Sequence, residues 1–235
     1  MSNNYFQFKK FRIEQDRCAM KVTTDACIQG AWTPILPSVK RVLDIGTGTG
    51  LLSLMLAQRS DDVIIDAIEF DKDAASQAAD NVNTSPWKGR INIIEGDVRT
   101  HQFRDKYDLI ISNPPFFNNS LLSDKEAKNN ARHTLSLTYT DLLNAVTENL
   151  SEGGYISILL PAEEYMLWNE LMAVHGWAEF GKLSVNHKPG ALVKRIVGLF
   201  SKADRVVTEQ SLTIHNDNGY TREFIDLMAP FYLNL

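Results

Sequence analysis

Val42-Leu43-Asp44-Ile45-Gly46-Thr47-Gly48-Thr49-Gly50 joins an apolar, β-branched run, Arg41–Ile45, to an apolar helical run, Leu51–Gln58. Glycines at alternate positions remove side chains where backbone must turn sharply or approach a ligand. A glycine loop between a strand and a helix opens a βαβ unit, and ligands of such sheets bind at the carboxyl ends of the strands. The pattern downstream agrees. Val63–Glu69, Ile91–Glu95, Tyr107–Ser112 and Tyr155–Leu160 are near-continuous apolar runs, as expected of strands buried on both faces. Ala74, Ala75, Ala78, Ala79 and Val82 recur at helical spacing between them, and Tyr139–Leu150 and Glu163–Val174 are further helical candidates. Alternation of this kind predicts an α/β fold with a mostly parallel, doubly wound sheet.

The C-terminal third reads differently. Trp177–His187 and Leu192–Ser201 predict two strands joined at Lys188-Pro189-Gly190, an antiparallel pair at one sheet edge. Ser211–His215 predicts another short strand, and a helix follows from about Thr221 to Met228. Residues before Val39 form an N-terminal element closed by Pro34 and Pro37. The expected organisation is one domain over residues 1–235: a covering element at 1–38, then a core from 39 with a C-terminal strand–helix extension. The polar stretch Asn118–Asn130 reads as a long surface loop.

Composition narrows the class. In 235 residues, 44% are hydrophobic and 23% charged, an ordinary soluble balance. No run of about 18 consecutive apolar residues occurs, so no transmembrane helix is expected. The N-terminus has no apolar run behind its charges, unlike a secretory signal. Two cysteines, Cys18 and Cys27, and five histidines without metal spacing disfavour a disulfide framework and a zinc site. The expectation is a metal-free, membrane-free cytosolic protein, monomeric by preference.

Two motifs carry chemistry. Asp44 precedes a GxGxG loop rather than the GxGxxG of dinucleotide enzymes. A carboxylate there suits a cofactor bearing an amino-acid ammonium, which points to S-adenosylmethionine, and DxGxGxG resembles the first motif of the Rossmann-like class I methyltransferases. Gly46, Thr47, Gly48 and Gly50 are the corresponding loop candidates. Glu69 ends the next strand about 20 residues on, where a carboxylate takes ribose hydroxyls. Asp97, after the third strand, stands where that family holds an acid or amide for the adenine amino group. By sequence alone it is equally a turn residue beside Gly96.

The second motif is Asn113-Pro114-Pro115-Phe116, at the end of the fourth strand. Two prolines fix φ and hold Asn113 and the Pro114 carbonyl rigidly. Those groups can accept both hydrogens of a planar NH2 while Phe116 lies on its ring. Such a nitrogen is a poor nucleophile because its lone pair is delocalised, and drawing on both hydrogens favours pyramidalisation. Catalysis is then mostly positioning and electrostatics. The motif resembles the (D/N/S)PP(Y/F/W) signature of methyltransferases acting on adenine N6, guanine N2 or glutamine N5, and does not choose among them.

The segment Asp16–Trp32 (DRCAMKVTTDACIQGAW), with LLSLMLAQ from Leu51, NTSPW from Asn83 and the terminal Phe231-Tyr232-Leu233, resembles the bacterial tRNA1(Val) (adenine(37)-N6)-methyltransferase family nearly end to end. The resemblance implies methyl transfer to N6 of an adenine in the anticodon region of tRNA, with Lys21, Thr24 and Asp25 as further cofactor-pocket candidates. Phe116 departs from the family's common Tyr; stacking survives the change, but a phenol contact does not. A guanine-N2 rRNA enzyme, a glutamine-N5 protein enzyme and a non-catalytic RNA-binding or assembly factor are the alternatives.

A formal charge of −5 taken alone argues against a nucleic-acid partner, but binding depends on distribution. Lys182, Lys188, Lys194, Arg195, Lys202 and Arg205 cluster at 182–205. Lys9, Lys10, Arg12, Arg17 and Lys21 lie near Phe6, Phe8 and Phe11, and Lys125, Lys128, Arg132 and His133 follow the Asn-Pro-Pro-Phe motif. The expectation is that these bases and aromatics gather around the active-site face.

Overall fold

The computed structural model describes residues 3–114 and 137–235; Pro115, Phe116, the loop Asn118–Asn130 and the basic residues Lys125 to His133 lie outside them. The central sheet is built from β3 (Arg41–Ile45), β4 (Ile64–Glu69), β5 (Ile91–Glu95), β6 (Tyr107–Ser112), β7 (Leu150–Pro161), β8 (Ala178–Asn186), β9 (Arg195–Ser201) and β10 (Thr208–Thr213). Its order is β10-β8-β9-β7-β6-β3-β4-β5. Strands β5, β4, β3, β6 and β7 run parallel. Strand β9 is antiparallel to both β7 and β8, so the expected edge pair is present. The edge extends one strand further than an antiparallel pair, because β10 adds to β8 in parallel.

Helices cover both faces. On one lie α1 (Thr24–Trp32), α2 (Leu51–Arg59), α3 (Lys72–Asn83) and α6 (Arg222–Met228), in a core with Ile28, Leu54, Met55, Val82, Phe224 and Met228. On the other lie α4 (Tyr139–Asn149) and α5 (Ala162–Val174), around Val146, Tyr165, the fully buried Trp168 and Met172. Several helix starts have a local cause. Asp71 accepts from Ala74 N at the head of α3, and Thr138 with Asp141 forms a capping box on α4. Gly50 begins α2 with φ of 83°, a conformation that L side chains rarely adopt.

The strand order reverses at β3, whose neighbours β4 and β6 come from opposite directions of winding. A crevice opens there at the carboxyl ends, as in other doubly wound sheets. The register sets Ile45 opposite Ser112 and opposite Ile68, so the glycine loop, the end of β6 and Glu69 converge by topology.

The N-terminal element is a short hairpin, β1 (Tyr5–Gln7) and β2 (Arg12–Glu14), followed by a segment leading to α1. It is clamped to α3. Asn81 accepts from Glu14 N at 2.9 Å and donates to the carbonyls of Glu14 and Thr49. Gln77 accepts from Arg17 N and donates to Asp16, and Arg17 bridges to Asp80. Asn81 is buried, so its loss leaves the Glu14 amide without that acceptor and the Thr49 carbonyl, within the glycine loop, without that donor. We expect Asn81→Ala to lower stability by about 1–3 kcal/mol, read as a fall in the urea midpoint with an unchanged m-value; an unchanged midpoint would mean the clamp is incidental.

Candidate active site

The glycine loop is held from below and from the side. Asp44 is fully buried at the end of β3, and one of its oxygens accepts from Thr47 Oγ1 at 2.6 Å and Ser53 Oγ at 2.7 Å. From the side, Glu69 Oε2 accepts from Gly48 N at 2.8 Å, and Oε1 from Asp71 N at 2.9 Å. Gly46 and Gly48 have φ of 72° and 56°. A Cβ on Gly46 would meet nothing within 4 Å, which marks open space at the bend. Gly50 differs: its Cβ position faces Ala78 at 3.6 Å, so this glycine serves the approach of α2 to α3.

Two adjoining cavities meet at Gly46, Glu69 and Asp71. One, of about 260 Å³, is lined by Cys18, Met20, Lys21, Thr47, Gly48 and Asn113 among others. The second, of about 200 Å³, is lined by Ile68, Phe70, Asp97, Val98, Arg99 and Leu137. Larger hollows exist, such as one of about 360 Å³ lined by Thr147, Gly153, Trp177 and Lys202. That hollow sits at the amino ends of the parallel strands, away from the loop.

Most of the sequence-derived candidates therefore come together: Gly46, Thr47, Gly48, Glu69, Lys21 and Asn113 around the first cavity, and Asp97 in the second. Five, Gly50, Thr24, Asp25, Asp44 and Pro114, do not line either cavity. Gly50 packs helices, as above. Thr24 opens α1 beside Tyr232. Asp25 lies in the first turn of α1, capped by Thr23, and forms an ion pair with Arg195 at 3.4 Å. Asp44 lies beneath the loop rather than in the cavity wall. Pro114 is buried directly after Asn113.

The electrostatics follow from burial. Asp44 is buried and near Glu69, and desolvation pushes its carboxyl up to about 6 in spite of the two hydroxyl donors. Its Oδ1 is buried with no hydrogen-bond partner among the described residues. Asp97 is the opposite case. Arg99 donates to both carboxylate oxygens, at 2.6–3.0 Å, and holds Asp97 below the usual carboxylate range. The Asn113 amide nitrogen is 4.0 Å from Met20 Sδ, and its Oδ1 is buried without a partner among the described residues.

Several contributors escaped the sequence reading. Ser53 is a lone hydroxyl within an apolar helix, a detectable signal. Gln29 of α1 is fully buried and donates to the carbonyls of Ser112 and Ser157. Ser112 Oγ donates to Ile45 O at 2.9 Å, tying the motif strand to the loop strand. Cys18, Met20, Phe70 and Arg99 have no pattern that would reveal them.

The basic and aromatic grouping needs correction. Phe8 and Phe11 are buried and stacked 4.4 Å apart, part of the core and not a surface for bases. Arg12 pairs with Glu14, and Arg17 with Asp80. The 182–205 cluster is split by the antiparallel β9. Arg195 pairs with Pro161 at the carboxyl end of β7, whereas Lys202 and Arg205 follow β9 at the opposite end of the sheet. Among the described residues, no group of three or more His, Cys, Asp or Glu could hold a metal ion, and no helix is long and apolar enough to cross a membrane.

The geometry fits S-adenosylmethionine: a bent, glycine-lined loop with open space at its bend, a bare buried carboxylate oxygen under it, and an acid at the neighbouring strand end. Residues 33–160 match the family model for the methyltransferase small domain, and the chain belongs to that family. It is an S-adenosylmethionine-dependent methyltransferase. Among curated proteins it is 44% identical to the tRNA1(Val) (adenine(37)-N6)-methyltransferase of Tolumonas auensis, over all of this chain and 99% of that one. It is 41% identical to the protein of the same name from Bacteroides fragilis, with both chains covered completely. Within the broader class, then, the chain belongs to the tRNA1(Val) (adenine(37)-N6)-methyltransferase family. Solved structures agree on the fold alone. A chain described as a predicted O-methyltransferase from Agrobacterium tumefaciens has a TM-score of 0.66 at 18% identity, covering 90% of this chain and 100% of its own. The ribosomal protein L11 methylase of Lactobacillus delbrueckii subsp. bulgaricus has 0.57 at 16%, covering 82% and 84%.

A buried acid with a raised pKa stabilises the fold fully at pH values below its unfolded pKa, near 4, and that contribution is lost as pH rises to about 6. We expect Asp44→Asn to abolish this part of the pH dependence, so that wild type and variant diverge in urea midpoint between pH 4 and 6 and keep a constant gap above. At pH 7.5 the same variant should bind S-adenosylmethionine at least about tenfold more weakly, since about 1.4 kcal/mol of a charged contact is enough for that. Calorimetric titration checks it, and equal affinity would remove Asp44 from the cofactor site.

Proposed function

We propose that this chain transfers a methyl group from S-adenosylmethionine to N6 of adenine 37 in tRNA Val, the activity for which its full-length relatives are named. The observation that carries the reading is the convergence of the glycine loop and Asn113 on one cavity, 260 Å³ in volume. When bound, S-adenosylmethionine supplies an electrophilic methyl on a sulfonium that becomes a neutral thioether. Gly46, Thr47 and Gly48 would give it backbone to lie against and Glu69 would take its ribose hydroxyls, while Lys21 lines the cavity at the N-terminal segment. Asp97, with its carboxylate oriented by Arg99, is the acceptor for the cofactor's adenine amino group.

On the substrate side, Asn113 Oδ1 has no partner within the described protein and is suited to accept one hydrogen of the target amine. The Pro114 carbonyl is the second acceptor, and Phe116 provides the stacking ring. Drawing both hydrogens toward acceptors leaves the nitrogen lone pair available; the proton released on alkylation goes to solvent. The base must leave its stack to reach this depth, which is cheapest in an unpaired loop.

Asn113→Ala removes one acceptor. The expected loss is about 1–3 kcal/mol of transition-state stabilisation, roughly ten- to a hundredfold in turnover, with cofactor affinity near normal. Labelled methyl incorporation by wild type and variant into separate tRNA, rRNA and protein fractions tests both points. Label in tRNA, lost with Asn113, is expected; label only in protein or only in rRNA would overturn the reading.

A further inference from the structure

We infer that the edge of the sheet beyond β7 is a docking surface for unpaired nucleotides of the RNA substrate, built from Lys188, Lys194 and the ring series His187, His215 and Tyr220. The inference rests on the RNA reading above and adds where the RNA lies. Topology supplies the first argument. Strand β8 ends at Asn186, and β9 begins at Arg195, opposite Val185 and Pro161. The turn between them therefore sits at the carboxyl end of the sheet, on the same side as the glycine loop and Asn113. Strand β10 also ends there, Thr213 opposite Asn186, and runs directly into the β11 (His215–Asn216) and β12 (Gly219–Tyr220) hairpin.

Contacts supply the second. Arg195 pairs with Asp25, which also faces His187. Asp25 belongs to α1, which follows directly on the Cys18–Lys21 segment lining the cofactor cavity. The surface is thus continuous with the wall of the active site, through one ion pair and one short segment.

Chemistry supplies the third. His187 and His215 lie 4.8 Å apart, His215 stacks on Tyr220 at 4.7 Å and 30°, and Tyr220 stacks on Phe224 at 4.7 Å. Phe224 is buried and anchors the series; Tyr220, next to it, is exposed, and His187 is exposed at the outer end. With Tyr220 stacked on both His215 and Phe224, the exposed edge of Tyr220 and the outer His187 ring are held in place for contact with bases at little cost in side-chain entropy. Lys188 and Lys194 are exposed and form no ion pair with a described carboxylate. The nearby acids are Asp25, engaged by Arg195, Asp217 in the β11–β12 turn, Glu223 at the head of α6, and Glu163 and Glu164 after Ala162, whose amide donates to the Lys194 carbonyl; Glu164 accepts from Tyr139. Two exposed cations outside any ion pair among the described residues, set beside exposed rings, match the alternation of phosphate and base in a single strand. A duplex would present phosphates but no base faces.

The test is fluorescence anisotropy of the full chain with a labelled anticodon stem-loop of tRNA Val, at several salt concentrations, alongside a methylation assay on the same RNA. The Lys188→Ala/Lys194→Ala double variant should bind at least about tenfold more weakly at low salt, with the log–log salt slope reduced by about 1.4 for two phosphate contacts to a single strand. Tyr220→Ala should weaken binding by about fivefold or more with the slope unchanged. Lys202→Ala, at the opposite end of the sheet, should bind within about twofold of wild type. Should Tyr220→Ala prove unfolded by thermal melting, the lysine pair decides. Wild-type affinity and slope in the lysine variant, with wild-type methylation of the stem-loop intact, would overturn the docking surface alone. Wild-type protein that neither binds nor methylates the stem-loop would overturn the proposed activity, and this inference with it.

Discussion

Everything at this site depends on the parallel pairing of β3 with β6, with Ile45 opposite Ser112. Ser112 Oγ donates to Ile45 O, so the residue before Asn113 is pinned to the residue before Gly46. One register therefore fixes both halves of the chemistry. A one-residue slip would turn every side chain of β6 to the other face, and the register is guarded by burial on both sides, with Leu43, Ile110 and Ile111 fully buried. Gln29 reinforces the junction from α1 by donating to the Ser112 carbonyl.

The second constraint is a buried charge. Asp44 sits beneath the loop with one oxygen satisfied twice and the other without a partner among the described residues. An unpartnered buried carboxylate is costly, and its persistence is reasonable where a cationic ligand compensates it. The site thereby exchanges stability of the free protein for cofactor affinity, as binding sites commonly do. Asp97 has no such tension, because Arg99 neutralises it locally.

The parts legible in the sequence were those set by local rules. Strands buried on both faces betray themselves as apolar runs, and a glycine loop after the first of them fixes the topological switch point. From that alone Glu69 and Asn113 could be assigned to one crevice. What was not legible depends on which surfaces meet. Thr24 and Asp25 belong to a segment whose neighbours, Met20 and Lys21, reach the cavity while they face Tyr232 and Arg195. Phe8 and Phe11 read as interleaved with lysines but are core residues of the hairpin. The basic run at 182–205 is contiguous in sequence and divided in space, since the antiparallel β9 carries it from the carboxyl end of the parallel strands to their amino end. The family assignment came from resemblance and agrees with full-length identities of 41–44%; no local motif distinguishes adenine from guanine or glutamine.

The central claim is that this crevice methylates one anticodon-loop adenine. It is tested most directly by mass spectrometry of nucleosides and of position-mapped fragments from tRNA Val, isolated from cells with the protein, without it, and with Asn113→Ala in its place. N6-methyladenosine at position 37 should be present in the first, absent in the second and strongly reduced in the third. Unchanged modification of adenine 37 in cells lacking the protein would contradict the account.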